Sequence, residues 1–240
     1  RKGCRLEMSI AENIARVRAN IAAAAKEAGR DAGEITLVGA SKMNDADACR
    51  QAIAAGIDAL GENREQEMTK KLAEHAYDGA PLHFIGHLQR NKVKNVVGKV
   101  ALLESVGSLE LLAAVNKQAE KLRIVQDILL EVNIGGEEAK AKSGFAPESL
   151  EQAAEEAKKC ANVRVRGLMC IPPVAEGEHG SLPYFEKVHA LFVDINAKLY
   201  DNTLDILSMG MSGDYEDAVR AGATMVRVGT AIFGARNYMI

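Results

Sequence analysis

A lysine at the end of an apolar run is the first residue here that could do chemistry. Residues 35–41 form a short β-branched and apolar run, and Lys42 follows it directly. Alternation along an extended strand places Val38, Ala40 and Lys42 on the same side. Apolar surroundings disfavour the ammonium and make the free amine available to form an imine. A lysine exposed to water at the rim of the fold is the alternative interpretation.

Two segments near the C-terminus contain residue types that suit a phosphate. Ser212-Gly213 follows one apolar run, and Gly229-Thr230 follows the next. A helix is expected to begin at each segment, so backbone N–H groups and the helix dipole point outward there. We expect the two segments together to bind an anion, and two unrelated tight turns are the alternative.

Arg227 lies within the last apolar run, between Val226 and Val228. If the two valines face the surrounding helices, alternation directs Arg227 toward the opposite face of the strand. A buried guanidinium without a partner is costly. The sequence therefore predicts a buried partner for Arg227.

Compact hydrogen-bonding groups also occur where other strands are expected to end. Asn63 follows the second apolar run, and His83 and His87 lie in and just after the third. Such positions suit a ligand-binding rim. Helix capping by Asn63 and satisfied interior histidines are the interpretations favoured by default. The two histidines do not predict a metal site, because Gly86 and a strand end separate them.

The elements that must position these groups alternate between strands and helices. Strands are predicted at residues 35–41, 58–62, 82–86, 101–106, 124–133, 163–170, 206–211 and 224–229. Helices are predicted at residues 45–55, 63–75, 89–97, 108–121, 147–159, 182–200 and 215–221. Eight strands with intervening helices predict a single-domain (β/α)8 TIM barrel, whose strand ends share one functional face. An open doubly wound sheet is the alternative.

A helix is predicted before the first strand. Ser9 and Glu12 have the spacing of a capping box, and Gly29 ends the apolar pattern that follows. Residues 1–7 show no apolar period and are predicted to be a leader outside the fold, with Met8 as the natural start. Residues 1–240 otherwise read as one domain.

Composition narrows the class of protein. The 240 residues are 48% hydrophobic and 26% charged with a net charge of −3, and 4% are aromatic. These values indicate an ordinary soluble chain and give no reason to expect a nucleic-acid partner. Neither a membrane span nor a secretory leader is predicted, so a cytoplasmic location is expected. The four cysteines lack metal-binding or disulfide spacing and are expected to be reduced.

Several motifs resemble the pyridoxal phosphate homeostasis protein family. The match runs from Met8 to Arg236. It rests on Lys42 and on four motifs: GEN at 61–63, HFIGHLQRNK at 83–92, GLM at 167–169 and SMGMSGD at 208–214. The resemblance implies a barrel similar to the barrel domain of alanine racemase, of fold type III. It also implies that pyridoxal 5′-phosphate (PLP) is bound as a covalent imine.

The resemblance also implies a role for individual residues. Lys42 would form the imine, Asn63 would lie beside the cofactor ring, and Arg227 would lie near the pyridine nitrogen. The residues that would bind the phosphate are Ser212, Gly213, Gly229 and Thr230. An arginine near the pyridine nitrogen cannot accept a proton from that nitrogen, which weakens the cofactor ring as an electron sink. The chain departs from the family pattern at Met43-Asn44, Leu82 and Gly107.

Three functions are compatible with these residues. The family resemblance implies a protein that binds PLP and buffers it or delivers it to apo PLP-dependent enzymes, without turnover and as a monomer. A fold type III amino-acid racemase is the main alternative, although it needs proton donors on both faces of the substrate. The chain ends within a dozen residues of the last strand, so we expect no second domain to supply one. An imine-forming sugar-phosphate aldolase is the third, but its lysine would lie deep on a middle strand.

Overall fold

Eight parallel strands, each paired with the next and the last paired with the first, close into a barrel. The structure is a computed structural model that describes residues 7–136 and 143–235. The strands are Thr36–Ala40 (β1), Ala59–Glu62 (β2), Leu82–Phe84 (β3), Leu102–Val106 (β4), Gln126–Val132 (β5), Val163–Cys170 (β6), Ile206–Ser208 (β7) and Met225–Val228 (β8). The predicted (β/α)8 barrel is confirmed, and the open-sheet alternative is wrong.

Helices surround the barrel. Those in the described part of the chain are Ile10–Glu27 (α1), Ala46–Ala54 (α2), Glu65–Ala73 (α3), Leu109–Leu122 (α4), Leu150–Lys158 (α5), Leu182–Leu199 (α6), Tyr215–Arg220 (α7) and Thr230–Phe233 (α8). The helix predicted at residues 89–97 is present as a shorter 3₁₀ helix, Arg90–Asn95, and not as an α-helix. Asn91, Asn95 and the β-branched Val93 are weak helix formers, which disfavours a regular α-helix in this segment.

Each observed strand lies within its predicted range, and most are shorter. The strand predicted at 206–211 stops at Ser208. Gly210 has a φ of 101° just beyond it, in the left-handed region, where an extended strand cannot continue. Loop geometry at the rim, rather than the apolar pattern, therefore sets where the strands end.

The helix before β1 belongs to the outer layer of the barrel. Its predicted capping box is present, with the Ser9 hydroxyl accepting from the Glu12 N–H and the Glu12 carboxylate accepting from the Ser9 N–H. α1 packs against α2, α7 and α8, and the Asn13 side chain donates to the Ile232 carbonyl at 2.8 Å. α1 thus completes the outer layer beside α8, which is a single turn. The predicted leader is described only at Glu7.

The core has two layers. The larger layer lies between strands and helices and includes Val226 and Val228, as predicted. The smaller layer fills the barrel and is made by Val38, Ala59, Leu102, Leu129, Met169 and Met225. Because side chains alternate along each strand, the next inward positions lie nearer the C-terminal rim. These positions include Glu104 and Arg227. Inside the barrel, a layer of polar side chains therefore lies between the C-terminal rim and the apolar layer, which forms the floor of the barrel.

Three cysteines lie in the described ranges, and all have free thiols: Cys49, Cys160 and Cys170. Cys4 lies outside those ranges. No group of three His, Cys, Asp or Glu side chains within residues 7–136 and 143–235 is placed to hold a metal ion. Over the same residues, every helix is too short or too polar to cross a membrane.

We propose that α1 and the barrel unfold as one unit, and Ile14→Ala tests this. Ile14 is 2% exposed, and truncating such a residue costs about 2–5 kcal/mol. We expect the free energy of unfolding of Ile14→Ala to fall by this amount. The urea transition, monitored by circular dichroism, should remain single and cooperative. Ile10→Ala, at the half-buried start of the same helix, is the control and should cost less. Two separate transitions would show that α1 is an independent appendage.

Candidate functional site

Lys42 lies in a tight turn at the C-terminal end of β1, where it is half-buried. The turn is hydrogen-bonded on both sides. The Ser41 N–H donates to the Gly61 carbonyl of β2, and the Asn44 N–H donates to the Ser41 carbonyl, both at 3.0 Å. The Asn44 side chain also donates to the Lys42 carbonyl at 3.0 Å. The backbone that carries the lysine is therefore fixed at the rim of the barrel.

The two segments predicted to bind an anion meet in the structure. The Ser212 hydroxyl oxygen accepts from the Gly229 N–H at 3.2 Å and from the Ala231 N–H at 3.1 Å. The helix starts differ from the prediction, because α7 begins only at Tyr215 and α8 has four residues. Two N–H groups, one at the N-cap of α8 and one in its only turn, thus converge on the Ser212 hydroxyl oxygen, in place of the two long helix ends that were predicted.

Barrel closure brings these segments next to the Lys42 turn. β1 and β8 pair with Gly39 opposite Val228, so Gly229 lies beside Ala40, two residues before Lys42. A Cβ atom added to Gly229 would lie 3.3 Å from the Ala40 carbonyl oxygen, which is tighter than an ordinary contact. Thr230 is exposed at the same rim. Gly213 is also exposed, and a Cβ atom there would contact nothing within 4 Å, so its backbone is open to a ligand.

Asn63 lines a cavity of about 560 Å³ at the mouth of the barrel, together with Ile85, Gly86, His87, Glu131, Asn133, Ser143 and Ile171. The capping interpretation of Asn63 is wrong, because Arg64 is the N-cap residue of α3. The Asn63 Oδ1 atom is buried and has no hydrogen-bond partner in the described structure. An unsatisfied buried acceptor is costly, so a ligand that donates to it would stabilise the site.

Gly86 explains how Asn63 is held in place. A Cβ atom at this position would lie 2.2 Å from the Asn63 carbonyl oxygen and 2.6 Å from its Cα atom. Only glycine permits this approach of the loop after β3 to the loop after β2. The glycine of the third-strand motif therefore keeps Asn63 at the mouth.

Arg227 is 2% exposed inside the barrel, and its predicted partner is present. Its guanidinium donates to the Ser208 hydroxyl at 2.6 Å and to the Cys170 carbonyl at 2.9 Å. Ser208 in turn donates to Glu104, and the second Glu104 oxygen lies 2.8 Å from the His83 Nδ1 atom. His83 is thus a satisfied interior histidine, and it lies at the far end of a buried chain that begins at Arg227.

The charge on Glu104 is favoured despite complete burial. Burial by itself raises the pKa of this carboxyl, but the hydrogen bond and charge of His83, the charge of Arg227 and the Ser208 hydrogen bond outweigh it. The net pKa of Glu104 is therefore below its ordinary value. An ionised Glu104 balances the guanidinium, which makes a fixed arginine tolerable inside the barrel.

Sequence reasoning did not select Glu104, Ser208 or Glu131. Glu131 lies at the end of β5, faces the mouth cavity and accepts from the Ser143 hydroxyl at 3.2 Å. Burial raises its pKa, against opposing effects of Ser143, Arg227 and His87. The sequence did contain a signal for both acids. Glu104 lies two residues after the inward-facing Leu102, and Glu131 lies two residues after the inward-facing Leu129. An acid in the inward register of an apolar strand is a candidate for the site.

Comparison with known proteins identifies the family to which this chain belongs. The family model described as alanine racemase, N-terminal domain, matches residues 13–237. A pyridoxal phosphate homeostasis protein of Aquifex aeolicus is 42% identical over 231 residues, covering 96% of this chain and 100% of that relative. One of Pseudomonas aeruginosa is 43% identical over 233 residues, covering 96% and 97%. This chain belongs to the pyridoxal phosphate homeostasis protein family.

Solved structures support the same placement. PipY of Synechococcus elongatus PCC7942, solved with PLP bound, has a TM-score of 0.82 and 30% identity, covering 94% of this chain and 100% of that chain. The same protein solved without PLP gives a TM-score of 0.83 and 31% identity, at the same coverage. Alanine racemase of Clostridium difficile in complex with cycloserine gives 0.69 and 17%, covering 90% and 58%, and shows the fold alone. The predicted family and barrel fold are confirmed.

The departures from the family pattern have local explanations at two positions. A Cβ atom at Gly107 would lie 2.8 Å from the Gly144 backbone nitrogen, so a side chain there would displace the loop after β5. Asn44 holds the Lys42 carbonyl, as described above. Leu82 is buried in the outer core. Asn44 and Gly107 therefore shape the rim, Leu82 belongs to the outer core, and none of the three lies in the two segments predicted to bind an anion.

The buried Glu104 predicts a pH dependence of stability. Because its pKa is lower in the folded than in the unfolded protein, it stabilises the fold above its unfolded pKa of about 4.3. That contribution is lost as the pH falls through the folded pKa. We expect the wild type to lose more free energy of unfolding than Glu104→Gln between about pH 6 and about pH 3, measured by urea denaturation.

Glu110→Gln is the matched control, because Glu110 is exposed at the start of α4. This variant should keep the wild-type pH dependence. Identical pH dependence in Glu104→Gln and the wild type would show that Glu104 is not ionised in the folded protein.

Proposed function

We propose that this protein binds PLP as an imine with Lys42 and buffers or delivers it within the cell, without turning over a substrate. The observation that carries the proposal is the meeting of the Ser212 and Gly229 segments beside the strand that holds Lys42. In this proposal the phosphate of PLP binds at the Ser212 hydroxyl and the exposed Gly213 and Thr230 beside it, and the aldehyde of the same molecule reacts with Lys42. PipY, at 30% identity, was solved with PLP bound.

Each remaining site residue has a role in this proposal. Asn63, with its unsatisfied buried oxygen, would lie beside the cofactor ring, and Arg227 near the pyridine nitrogen. Ser212, Gly213, Gly229 and Thr230 would bind the phosphate. Bound PLP supplies an electron-withdrawing ring, and the chain limits its strength, because a guanidinium donates hydrogen bonds but has no acceptor for the ring proton.

Tyr215 and Cys170, two side chains that could transfer a proton in a racemase, lie away from the mouth. The Tyr215 hydroxyl accepts from the Asn20 side chain of α1, on the outer side of the barrel. The Cys170 thiol packs in the outer core, where burial raises its pKa to about 12. A racemase would have to use mouth residues such as Glu131 or His87 instead. This arrangement favours a carrier over the racemase alternative.

The remaining parts of the proposal concern the setting of the protein. We propose that it acts in the cytoplasm as a monomer and that its recipients are apo PLP-dependent enzymes. The cavity at the mouth supports delivery, since Asn63 and His87 line an opening at the rim through which a cofactor can leave. Gel filtration of the purified protein, with and without PLP, checks the monomer.

Borohydride reduction followed by peptide mapping tests the covalent part of the proposal. Protein incubated with PLP and reduced should carry the cofactor on the peptide that contains Lys42. Lys42→Ala should abolish both this label and the visible imine absorption, because the amine that forms the imine is removed. Lys70→Ala, on the exposed face of α3, should leave both unchanged. Labelling that persists in Lys42→Ala would remove Lys42 from its role.

Ser212→Ala and Thr230→Ala test the phosphate-binding segments. Each should weaken PLP affinity by about 1–2 kcal/mol, because one hydrogen bond to a charged group is lost. Equilibrium titration of the imine absorption measures the affinity. Ser149→Ala, at an exposed serine before α5, should bind PLP like the wild type. Wild-type affinity in both site variants would place the phosphate elsewhere.

Turnover separates a carrier from a racemase. Incubation of the PLP-loaded protein with a panel of single-enantiomer amino acids should leave their chirality unchanged, as followed by chiral chromatography. Steady turnover of any amino acid that disappears in Lys42→Ala would contradict the carrier.

A further inference from the structure

A buried network of charged and polar groups lies directly behind the Lys42 turn, between the strands and α3. The Lys71 ammonium donates to a Glu62 carboxylate oxygen at 2.7 Å and to the Ser41 carbonyl at 2.8 Å. The same Glu62 oxygen accepts from the Ser41 hydroxyl at 2.6 Å and from the Tyr77 hydroxyl at 2.8 Å. Glu62, Lys71 and Tyr77 are each no more than 5% exposed. The network thus holds the residue before Lys42 through both its carbonyl and its side chain.

Glu67 extends the network to the residue after Lys42. Its carboxylate lies 2.9 Å from the Lys71 ammonium and accepts from the Met43 N–H at 2.6 Å. Met43 has a φ of 62°, in the left-handed region that side-chain-bearing residues adopt at a cost. The hydrogen bond to Glu67 opposes relaxation of that conformation. The backbone is therefore held on both sides of Lys42 by one ammonium and its two carboxylates.

The ionic state of the network follows from its geometry. Burial lowers the pKa of Lys71, but the charge and hydrogen bonds of Glu62 and the Glu67 hydrogen bond more than offset this, so its net pKa is raised. Burial raises the pKa of Glu62, against the opposing effects of Lys71 and Ser41. The Tyr77 pKa is raised as well, so its hydroxyl keeps its proton and donates. Lys71 is a fixed ammonium and not a second imine-forming amine.

Stability alone does not account for such a network. Taking an ion pair out of water costs free energy that the attraction between the charges often only balances, and apolar side chains of similar volume stabilise a core as well or better. What apolar side chains cannot do is donate to the Ser41 carbonyl or accept from the Met43 N–H. What this network provides, and apolar side chains cannot, is a fixed backbone conformation at residues 41–43.

We propose that Lys71, together with Glu62 and Glu67, is a positioning group for Lys42. It fixes the turn so that the Lys42 side chain leaves the backbone at the rim beside the Gly229 segment. It acts through the backbone of Ser41 and Met43 and does not contact the cofactor. This inference rests on the proposed function, in which Lys42 forms the covalent bond.

A double-mutant cycle between Glu67 and Lys42 tests the positioning role. The dissociation constant of PLP is measured for Glu67→Ala in the wild-type background and in a Lys42→Ala background, where binding is non-covalent and is followed by quenching of tyrosine fluorescence. Glu67→Ala should weaken binding about tenfold when Lys42 is present, because a hydrogen bond to a charged group is lost. In the Lys42→Ala background, Glu67→Ala should change the dissociation constant less than about twofold, because there is no lysine left for Glu67 to position.

Three further variants sharpen the test. Glu67→Gln should bind PLP like the wild type, because its amide oxygen still accepts from the Met43 N–H. Lys71→Met should weaken covalent binding at least as much as Glu67→Ala. Lys70→Met, on the exposed side of the same helix, is its matched control and should have no effect. The pH midpoint of the imine absorption should shift in Glu67→Ala and Lys71→Met but not in Glu67→Gln or Lys70→Met.

Glu67→Ala carries the test if Lys71→Met fails to fold with Glu62 left unpaired, since the Glu67 side chain is 21% exposed. Equal weakening in the two backgrounds, or wild-type binding and an unshifted pH midpoint in Glu67→Ala, would overturn the positioning role while leaving the proposed function intact. A wild-type protein that yields no borohydride-trapped imine at Lys42 would overturn the proposed function and this inference together.

Discussion

Closure of the parallel sheet between β8 and β1 is the constraint on which the rest of the site depends. It places Gly229 next to Ala40, and so brings the two segments predicted to bind an anion to the turn that carries Lys42. In an open sheet these strands would be separate edges, and the lysine and the N–H groups could not serve one ligand. The outer layer supports closure at this seam, because α1 packs against both α2 and α8.

The interior of the barrel is divided by polarity. Six apolar side chains fill its floor, and above them Arg227, Ser208, Glu104 and His83 form one hydrogen-bonded chain. A guanidinium in such a place is tolerable because Glu104 is held in its charged form and every contact is fixed in direction. In the proposed function, this chain would hold Arg227 as a rigid donor near the pyridine nitrogen of PLP. Such a donor suits retention of the cofactor better than extensive electron withdrawal by its ring.

The rim combines fixed backbone with open ligand groups. Gly86 permits the close approach that holds Asn63, and the network around Lys71 holds residues 41–43. Against this rigid frame, the Asn63 oxygen is unsatisfied, Thr230 and Gly213 are exposed, and a cavity opens at the mouth. In the proposed function, a fixed turn at Lys42 and an accessible mouth would together allow a cofactor to be loaded and released.

The sequence by itself determined the elements whose signals are local. The capping box at Ser9, the eight apolar runs and the inward register of Arg227 all follow from spacing within a few residues, because caps and strand alternation are short-range effects. The motifs around residues 83–92 and 208–214 also sufficed to identify the family. Only the tertiary structure decided that Glu104 contacts Ser208, 104 residues away, and that Lys71 donates to the Ser41 carbonyl. It also decided that Asn63 lines a cavity instead of capping a helix. These contacts depend on which strands become neighbours when the barrel closes, and no local pattern of residues carries that information.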